Sequence, residues 1–204
     1  MSNNSTKEKM IHAASLLFYQ KGFDGTSVRD IAKHASVNVS LISYYFKGKQ
    51  GLLEYAVTNY YETYIKLMEE NLERNATLHL VDQLKKMVYT IVQYKLAHYQ
   101  LTAFIERELS LDSTFVREMT VTYLAKENHL LKQLFYAVVQ RKWKQQHTYF
   151  YIQLKGMLNA PFMLKDEWNY RLLDETAHQH FLDEFMKTIE IWLDVLVEEK
   201  VPIN

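Results

Sequence analysis

The chain has 204 residues, no cysteine, only two prolines and only five glycines. Without cysteine there is no disulfide framework and no thiolate metal site, which suits a reducing compartment. No apolar run approaches the roughly 18 residues of a membrane span, and the N-terminus is polar rather than signal-like. A soluble, cytoplasmic protein is expected. No glycine-rich phosphate loop, zinc motif, nucleophile elbow or paired carboxylates are present, so no cofactor and no enzymatic activity are expected. What the chain does have is a 48% hydrophobic content, enough for a substantial core.

The scarce helix breakers are unevenly spread. Gly22, Gly25, Gly48 and Gly51 fall in the first quarter; only Gly156, Pro161 and Pro202 follow. Short helices are therefore expected first and long ones later, in an all-α fold. Charge is uneven too. Net charge is zero overall, yet residues 1–51 carry seven basic side chains against three acidic ones, a net +4, which leaves −4 for the rest. A basic module that meets a polyanion, on an acidic body with another task, fits this division.

The pattern Ser5-Thr6-Lys7-Glu8 predicts a capping box that opens the first helix. Ile11, Ala14, Leu17 and Phe18 form its apolar stripe, and Lys21-Gly22 closes it. A second helix is expected from about Ser27 to Ala35, with Thr26 or Ser27 as N-cap. A third is expected over Asn38 to Tyr44, with Leu41 and Tyr45 packing inward, Val39, Ser40 and Ser43 pointing away, and Phe46 closing the small core. A long fourth helix begins near Lys49. Others are expected at 78–98, 101–109, 113–143, 147–160 and 178–199, with Asp112 or Ser113 capping the longest. Residues 161–177 read as a loop or broken helix.

Two short helices joined by a turn of about four residues make a helix-turn-helix, which sets its second helix in a major groove. The chemistry fits. Thr26 and Ser27 bring hydroxyls and helix-end N–H groups to a phosphate site, and Tyr44, Tyr45, Lys47 and Lys49 add phenol and ammonium groups.

Ala13-Ala14-Ser15-Leu16-Leu17-Phe18, Lys21-Gly22-Phe23, Thr26-Ser27-Val28-Arg29-Asp30-Ile31-Ala32, Val37-Asn38-Val39-Ser40 and Tyr44-Tyr45-Phe46-Lys47-Gly48-Lys49-Gln50-Gly51-Leu52-Leu53 together resemble the TetR family of bacterial regulators over about residues 7–54. The resemblance implies a helix-turn-helix DNA-binding domain over 1–48, a helical regulatory and dimerisation domain over 49–204, and a homodimer formed by the last two long helices. It also implies phosphate contacts from Thr26, Tyr44 and Lys49, with Asn38, Val39, Ser40 and Ser43 facing base edges. The chain departs from the family at Ser36, where the turn often has glycine; a left-handed residue there would be mildly strained. The recognition helix also holds no Arg or Lys, so the commonest contact to guanine is missing. Phosphate-led affinity with modest base discrimination is expected, in a protein associated with the nucleoid.

In the body, Phe104-Ile105-Glu106-Arg107-Glu108-Leu109-Ser110-Leu111-Asp112-Ser113-Thr114-Phe115-Val116-Arg117-Glu118 and Ile152-Gln153-Leu154-Lys155 are similar to a branch of the family in spore-forming Bacillus relatives that acts on the division protein FtsZ. Arg107, Glu108, Arg117 and Glu118 then read either as a protein-binding surface or as a solvated elbow of weak ion pairs. The aromatics Tyr89, Tyr94, Tyr99, Phe104, Tyr123, Phe135 and Tyr136 fit either plain core or a pocket for a small-molecule inducer. His178-Gln179-His180 reads as a solvated helix start, because residues two apart on a helix face different sides. Arg141-Lys142-Trp143-Lys144 reads as a basic helix end. Phe150, Leu154 and Met157, then Phe185, Ile189, Trp192 and Leu196, lie on wide apolar faces that need partners on both sides. An intersubunit four-helix bundle would supply them.

Overall fold

With few breakers to interrupt it, the backbone stays helical for long stretches. The computed structural model describes residues 2–111, 114–139, 146–164 and 175–197. Among these residues there are nine α-helices and no strand. They are α1 (Ser2–Lys21), α2 (Val28–His34), α3 (Val39–Phe46), α4 (Lys49–Arg74), α5 (Leu80–Ala97), α6 (Tyr99–Ser110), α7 (Thr114–Val139), α8 (His147–Met163) and α9 (Glu175–Val197).

Two boundaries differ from expectation. Helix α1 starts at Ser2 rather than being capped at Ser5, because nothing in the polar residues ahead of Ser5 stops the helix from extending another turn. Helix α8 runs through Pro161 to Met163. A proline so near a helix end removes one backbone bond, and the ladder resumes at once, with the Leu164 N–H donating to the Ala160 carbonyl at 3.1 Å. The expected caps Asp112 and Ser113, the basic run Arg141 to Lys144 and residues 165–174 lie outside the described residues.

The chain divides into two compact units, one of residues 1–63 with 100–122, the other of 64–99 with 123–204. Helices α4 and α7 contribute to both. In the first unit Met10, Ala14, Phe18, Ile31, Ile42, Phe46, Leu52, Leu53 and Phe104 are buried. Phe18 lies 5.5 Å, centroid to centroid, from both Phe23 and Phe104. The Tyr60 hydroxyl meets Thr102 Oγ1 at 3.0 Å. Gly51 passes so close to the Phe46 carbonyl that a Cβ there would sit 1.9 Å from its oxygen, so only glycine lets α4 start directly against the end of α3.

The second unit buries Leu84, Met87, Val88 and Ile91 from α5 with Leu131 and Phe135 from α7, Leu154 and Leu158 from α8 and Ile189 and Leu193 from α9. Phe135 stacks on Trp192 at 6.3 Å, and Lys85 pairs with Asp194 at 2.6 Å. This core is not wholly apolar. Glu127 of α7 is 2% exposed and Lys95 of α5 is 3% exposed. Lys155 of α8 hydrogen-bonds the Glu127 carboxylate, and Lys95 donates to Asn159 Oδ1 at 2.7 Å. Burial pushes the Glu127 carboxyl up, but the Lys155 and Lys95 charges outweigh that and hold it below its ordinary value. The Tyr151 phenol is pushed up by burial and by the Glu127 charge, and it donates to Asn128 Oδ1 at 3.0 Å.

Removing the charge at Glu127 strands two cations in the interior. Glu127→Gln is expected to destabilise the protein by about 3–5 kcal/mol at neutral pH, measured by urea unfolding. Because the folded carboxyl titrates below its ordinary 4.5, its contribution is complete above that value and is lost as pH falls through the depressed one. The gap between wild type and Glu127→Gln is therefore expected to narrow only in acid below that point.

Candidate nucleic-acid interface

Helix α2 has seven residues and depends on its caps. Ser27, in extended conformation, accepts from the Asp30 N–H at 3.1 Å, while the Asp30 carboxylate accepts from the Ser27 N–H at 3.2 Å and hydroxyl at 2.8 Å. These Ser27 hydrogen bonds, side chain first and backbone second, hold the Asp30 carboxyl below its usual range. Ser27 is thus the N-cap, and Thr26 is not. Thr26 is 2% exposed. Its hydroxyl points at the carbonyls of Gly22, at 2.8 Å, and Leu17, at 3.2 Å, tying the α1–α2 turn to the end of α1.

The turn between α2 and α3 closes with the Val37 N–H on the Ala32 carbonyl at 2.9 Å. Ser36 adopts φ 53°, the left-handed conformation that its place in the sequence made a concern. Asn38 then caps α3, its Oδ1 accepting from the Ser40 N–H at 2.9 Å and hydroxyl at 2.8 Å.

Helix α3 buries Ile42 and Phe46. Leu41 and Tyr45, expected to point inward, are only partly covered. The inward face is rotated by one residue, because Ile42 and Phe46 share the spacing of the expected pair and the neighbouring helices accept them instead. The outward face is as expected: Asn38, Val39, Ser40 and Ser43 are all exposed. Tyr44, at 78% exposure, and Lys47 continue it. Lys47 also closes the helix in a left-handed cap at φ 59°.

Tyr45 meets Tyr44 edge-on at 4.9 Å. The Lys7 ammonium lies 5.4 Å from the Tyr45 ring centre and 5.8 Å from that of Tyr55, which brings a cation from α1 beside the tyrosines. Lys7 belongs to the basic front of the sequence, but no local pattern signals this placement, since it depends on how α1 lies against α3 and α4. Lys49 is used inside the unit: its ammonium donates to the Phe23 carbonyl at 2.7 Å and sits 4.2 Å over the Phe23 ring. The structure therefore gathers Ser27, Asn38, Val39, Ser40, Ser43, Tyr44, Tyr45 and Lys47 on two adjoining short helices and their ends, and turns Thr26 and Lys49 toward the protein.

The other singled-out residues divide as sharply. The Arg107 guanidinium donates to the Phe18 carbonyl at 2.9 Å and the Tyr19 carbonyl at 3.0 Å. It thus joins α6 to the last turn of α1, at the negative end of the helix dipole, where the Phe18 carbonyl also accepts from the Gly22 N–H at 2.9 Å. Glu108 is half-buried, while Arg117 and Glu118 are exposed. Leu154, Ile189 and Leu196 are buried within their own subunit, and Phe150, Met157, Phe185 and Trp192 are partly covered. The large apolar side chains most exposed on α8 and α9 are Tyr149, Ile152, Ile191 and Val195. No helix among the described residues is long and apolar enough to cross a membrane, and none of their side chains form a three-ligand metal cluster.

Compared with known proteins, residues 10–56 match the model for bacterial regulatory proteins of the tetR family. The probable HTH-type transcriptional regulator YttP of Bacillus subtilis (strain 168) is 40% identical over 195 residues, covering 93% of this chain and 92% of that protein. The chain belongs to the TetR family. Its fold is that of solved TetR regulators. PfmR from Thermus thermophilus superimposes with a TM-score of 0.70 at 15% identity, over 96% of each chain. FadR from Bacillus subtilis, solved in complex with stearoyl-CoA, gives a TM-score of 0.66 at 18% identity, over 94% of this chain and 97% of that one. This TetR-family chain is accordingly a transcriptional regulator by kinship, with relatives that are regulators rather than enzymes.

Arg107 and Arg117 are expected to behave differently. Arg107→Ala removes two hydrogen bonds from a charged donor and is expected to lower stability by about 2–3 kcal/mol in thermal or urea unfolding. Arg117→Ala, on an exposed side chain, is expected to change it by less than about 0.5 kcal/mol.

Proposed function

We propose that this chain is a homodimeric, sequence-specific DNA-binding regulator that reads DNA with the outward face of α3. The observation that carries this is the exposed row of Asn38, Val39, Ser40 and Ser43, flanked by Tyr44, Tyr45 and Lys47, on a helix anchored by Ile42 and Phe46. Asparagine and the hydroxyls can pair with base edges and the valine methyls can meet thymine, while phenols and ammonium groups hold the backbone. Thr26 and Lys49 serve this reading by fixing the α1–α2 turn; the Thr26 hydroxyl is held on the Gly22 and Leu17 carbonyls, while the Lys49 ammonium, with one donor on the Phe23 carbonyl, keeps two more for a phosphate. The DNA-binding role is assigned to residues 1–48 and the regulatory and dimerisation role to 49–204. The twin subunit docks against α8 and α9, where Tyr149, Ile152, Ile191 and Val195 present apolar surface that flanks Phe150, Met157, Phe185 and Trp192. Such a protein works in the cytoplasm, on the nucleoid.

The output we assign is control of FtsZ-ring assembly during sporulation, as in RefZ of spore-forming Bacillus relatives, which the segments 104–118 and 152–155 resemble. The exposed Arg117 and Glu118, with Leu111 at 70% and Val121 at 56% exposure, supply a mixed apolar and charged surface suited to a protein partner. A second reading is a ligand-released repressor. It is favoured by the similarity of fold to FadR, a protein solved with stearoyl-CoA, and by the aromatic-rich body.

Two measurements test these readings. Log K for DNA against log salt is expected to fall steeply, as phosphate contacts release counterions, and Ser40→Ala or Ser43→Ala is expected to narrow the gap between cognate and random DNA; a flat salt plot would end the phosphate-led reading. Mapping chromosomal sites, followed by assembly of purified FtsZ with and without site DNA, separates the outputs. Sites clustered away from promoters and a DNA-dependent change in assembly support division control. Promoter sites and release of DNA by an acyl ligand support the repressor.

A further inference from the structure

Helix α3 holds no Arg or Lys from Val39 to Phe46, so cations that hold DNA phosphates have to come from neighbouring elements. Lys49 gives one of its donors to the Phe23 carbonyl, and Arg107 is turned to the end of α1. Lys7 of α1 is placed differently. Its ammonium lies 5.4 Å from the centre of the Tyr45 ring and 5.8 Å from that of Tyr55. Among the described residues it forms no hydrogen bond and no ion pair.

The two rings come from different helices. Tyr45 is on α3, where it meets Tyr44 edge-on at 4.9 Å. Tyr55 is on α4, where it packs edge-on against the α3 anchor Phe46 at 5.3 Å and stays 41% exposed. Lys7 thus stands beside the tyrosine end of the outward face, although it belongs to a third element. An ammonium drawn to the negative face of a ring keeps N–H groups on its far side. It can hold a ring and a phosphate oxygen together. The rings also order the lysine stem before DNA arrives, so less side-chain freedom is lost on binding than for a loose lysine. Lys7 lies ahead of residues 10–56, which match the family model, so that match assigns it no part.

We propose that Lys7 is a DNA-backbone contact: a cation supplied by α1, held by the Tyr45 and Tyr55 rings at the end of the reading face, that takes a phosphate oxygen. This role rests on α3 being a DNA-reading face. A phosphate contact is blind to base identity, so Lys7 adds affinity and fixes register, and the discrimination stays with Asn38, Val39, Ser40 and Ser43.

The test measures binding of the full-length protein to a short fluorescein-labelled duplex of random sequence, by anisotropy across a series of potassium chloride concentrations. No operator is needed, because backbone contacts form on any sequence. Lys7→Met is expected to make the plot of log K against log salt shallower by about 0.9 for each subunit on the duplex, or about 2 for a dimer. Lys7→Arg keeps the charge and the attraction to the rings, and is expected to keep the wild-type slope. Lys9→Met removes the same charge from another side of α1, since residues two apart on a helix do not share a face. It is expected to change the slope by less than about half as much, through the general field alone. A purely structural role for Lys7 would lower affinity equally at every salt concentration and leave the slope alone. A steep wild-type slope that Lys7→Met leaves unchanged, a drop that Lys7→Arg shares, or an equal drop in Lys9→Met would each overturn this role for Lys7 while the DNA-binding reading stands. A flat wild-type slope would overturn both.

Discussion

Helix α3 has eight residues, too few to remain helical in water by their own hydrogen bonds. Its outward row of Asn38, Val39, Ser40 and Ser43 exists as a surface only because Ile42 and Phe46 are buried on the other side. Everything around it serves that anchoring. Asn38 satisfies the first turn, Lys47 ends the helix in a left-handed cap, and Gly51 lets α4 begin against the Phe46 carbonyl. Helix α2, shorter still, is held by the reciprocal Ser27–Asp30 cap and by Ile31 in the core.

Cations in this protein divide by whether they face solvent or are consumed inside. Lys47 extends the exposed face, and Lys7 stands over the tyrosine rings. Lys49 and Arg107 instead donate to the carbonyls of Phe23, Phe18 and Tyr19. Those carbonyls sit at or just past the end of α1, where the helix dipole is negative. A charged donor there contributes more than an exposed ion pair would, because its hydrogen bonds are part-buried and charge-assisted, although the Phe18 and Phe23 carbonyls also accept from the Gly22 and Thr26 N–H groups. In the second unit the same reasoning applies at greater burial. Glu127 is tolerated in the core only with Lys155 and Lys95 beside it, and the cluster links α5, α7 and α8.

Much of the helical plan was legible from where glycine and proline fall, since a breaker acts locally and its effect needs no knowledge of the rest of the chain. The turn at Ser36 was legible for the same reason, and its left-handed φ follows from the turn it occupies. The inward register of α3 was not. Leu41 and Ile42 are adjacent apolar residues, as are Tyr45 and Phe46, so two stripes about 100° apart fit the periodicity equally well. The neighbouring helices choose between them. The internal hydrogen bonds of Thr26, Lys49 and Arg107 were not legible for a similar reason. Each is a polar residue in a polar stretch, and whether it faces solvent or a distant carbonyl depends on partners that for Arg107 lie 89 residues away.

The amino-acid sequence by itself determined the helical class, the short-then-long order of helices, the capping and turn chemistry of the front and its resemblance to the TetR family. These rest on local propensity and on side-chain identity, which travel with the chain. Only the tertiary structure decided which apolar residues of α3 are anchors, which cations are spent inside, and that α6 and the start of α7 pack into the same unit as the short helices. Burial and hydrogen bonding between residues far apart in sequence are properties of the packed whole, and no local pattern encodes them.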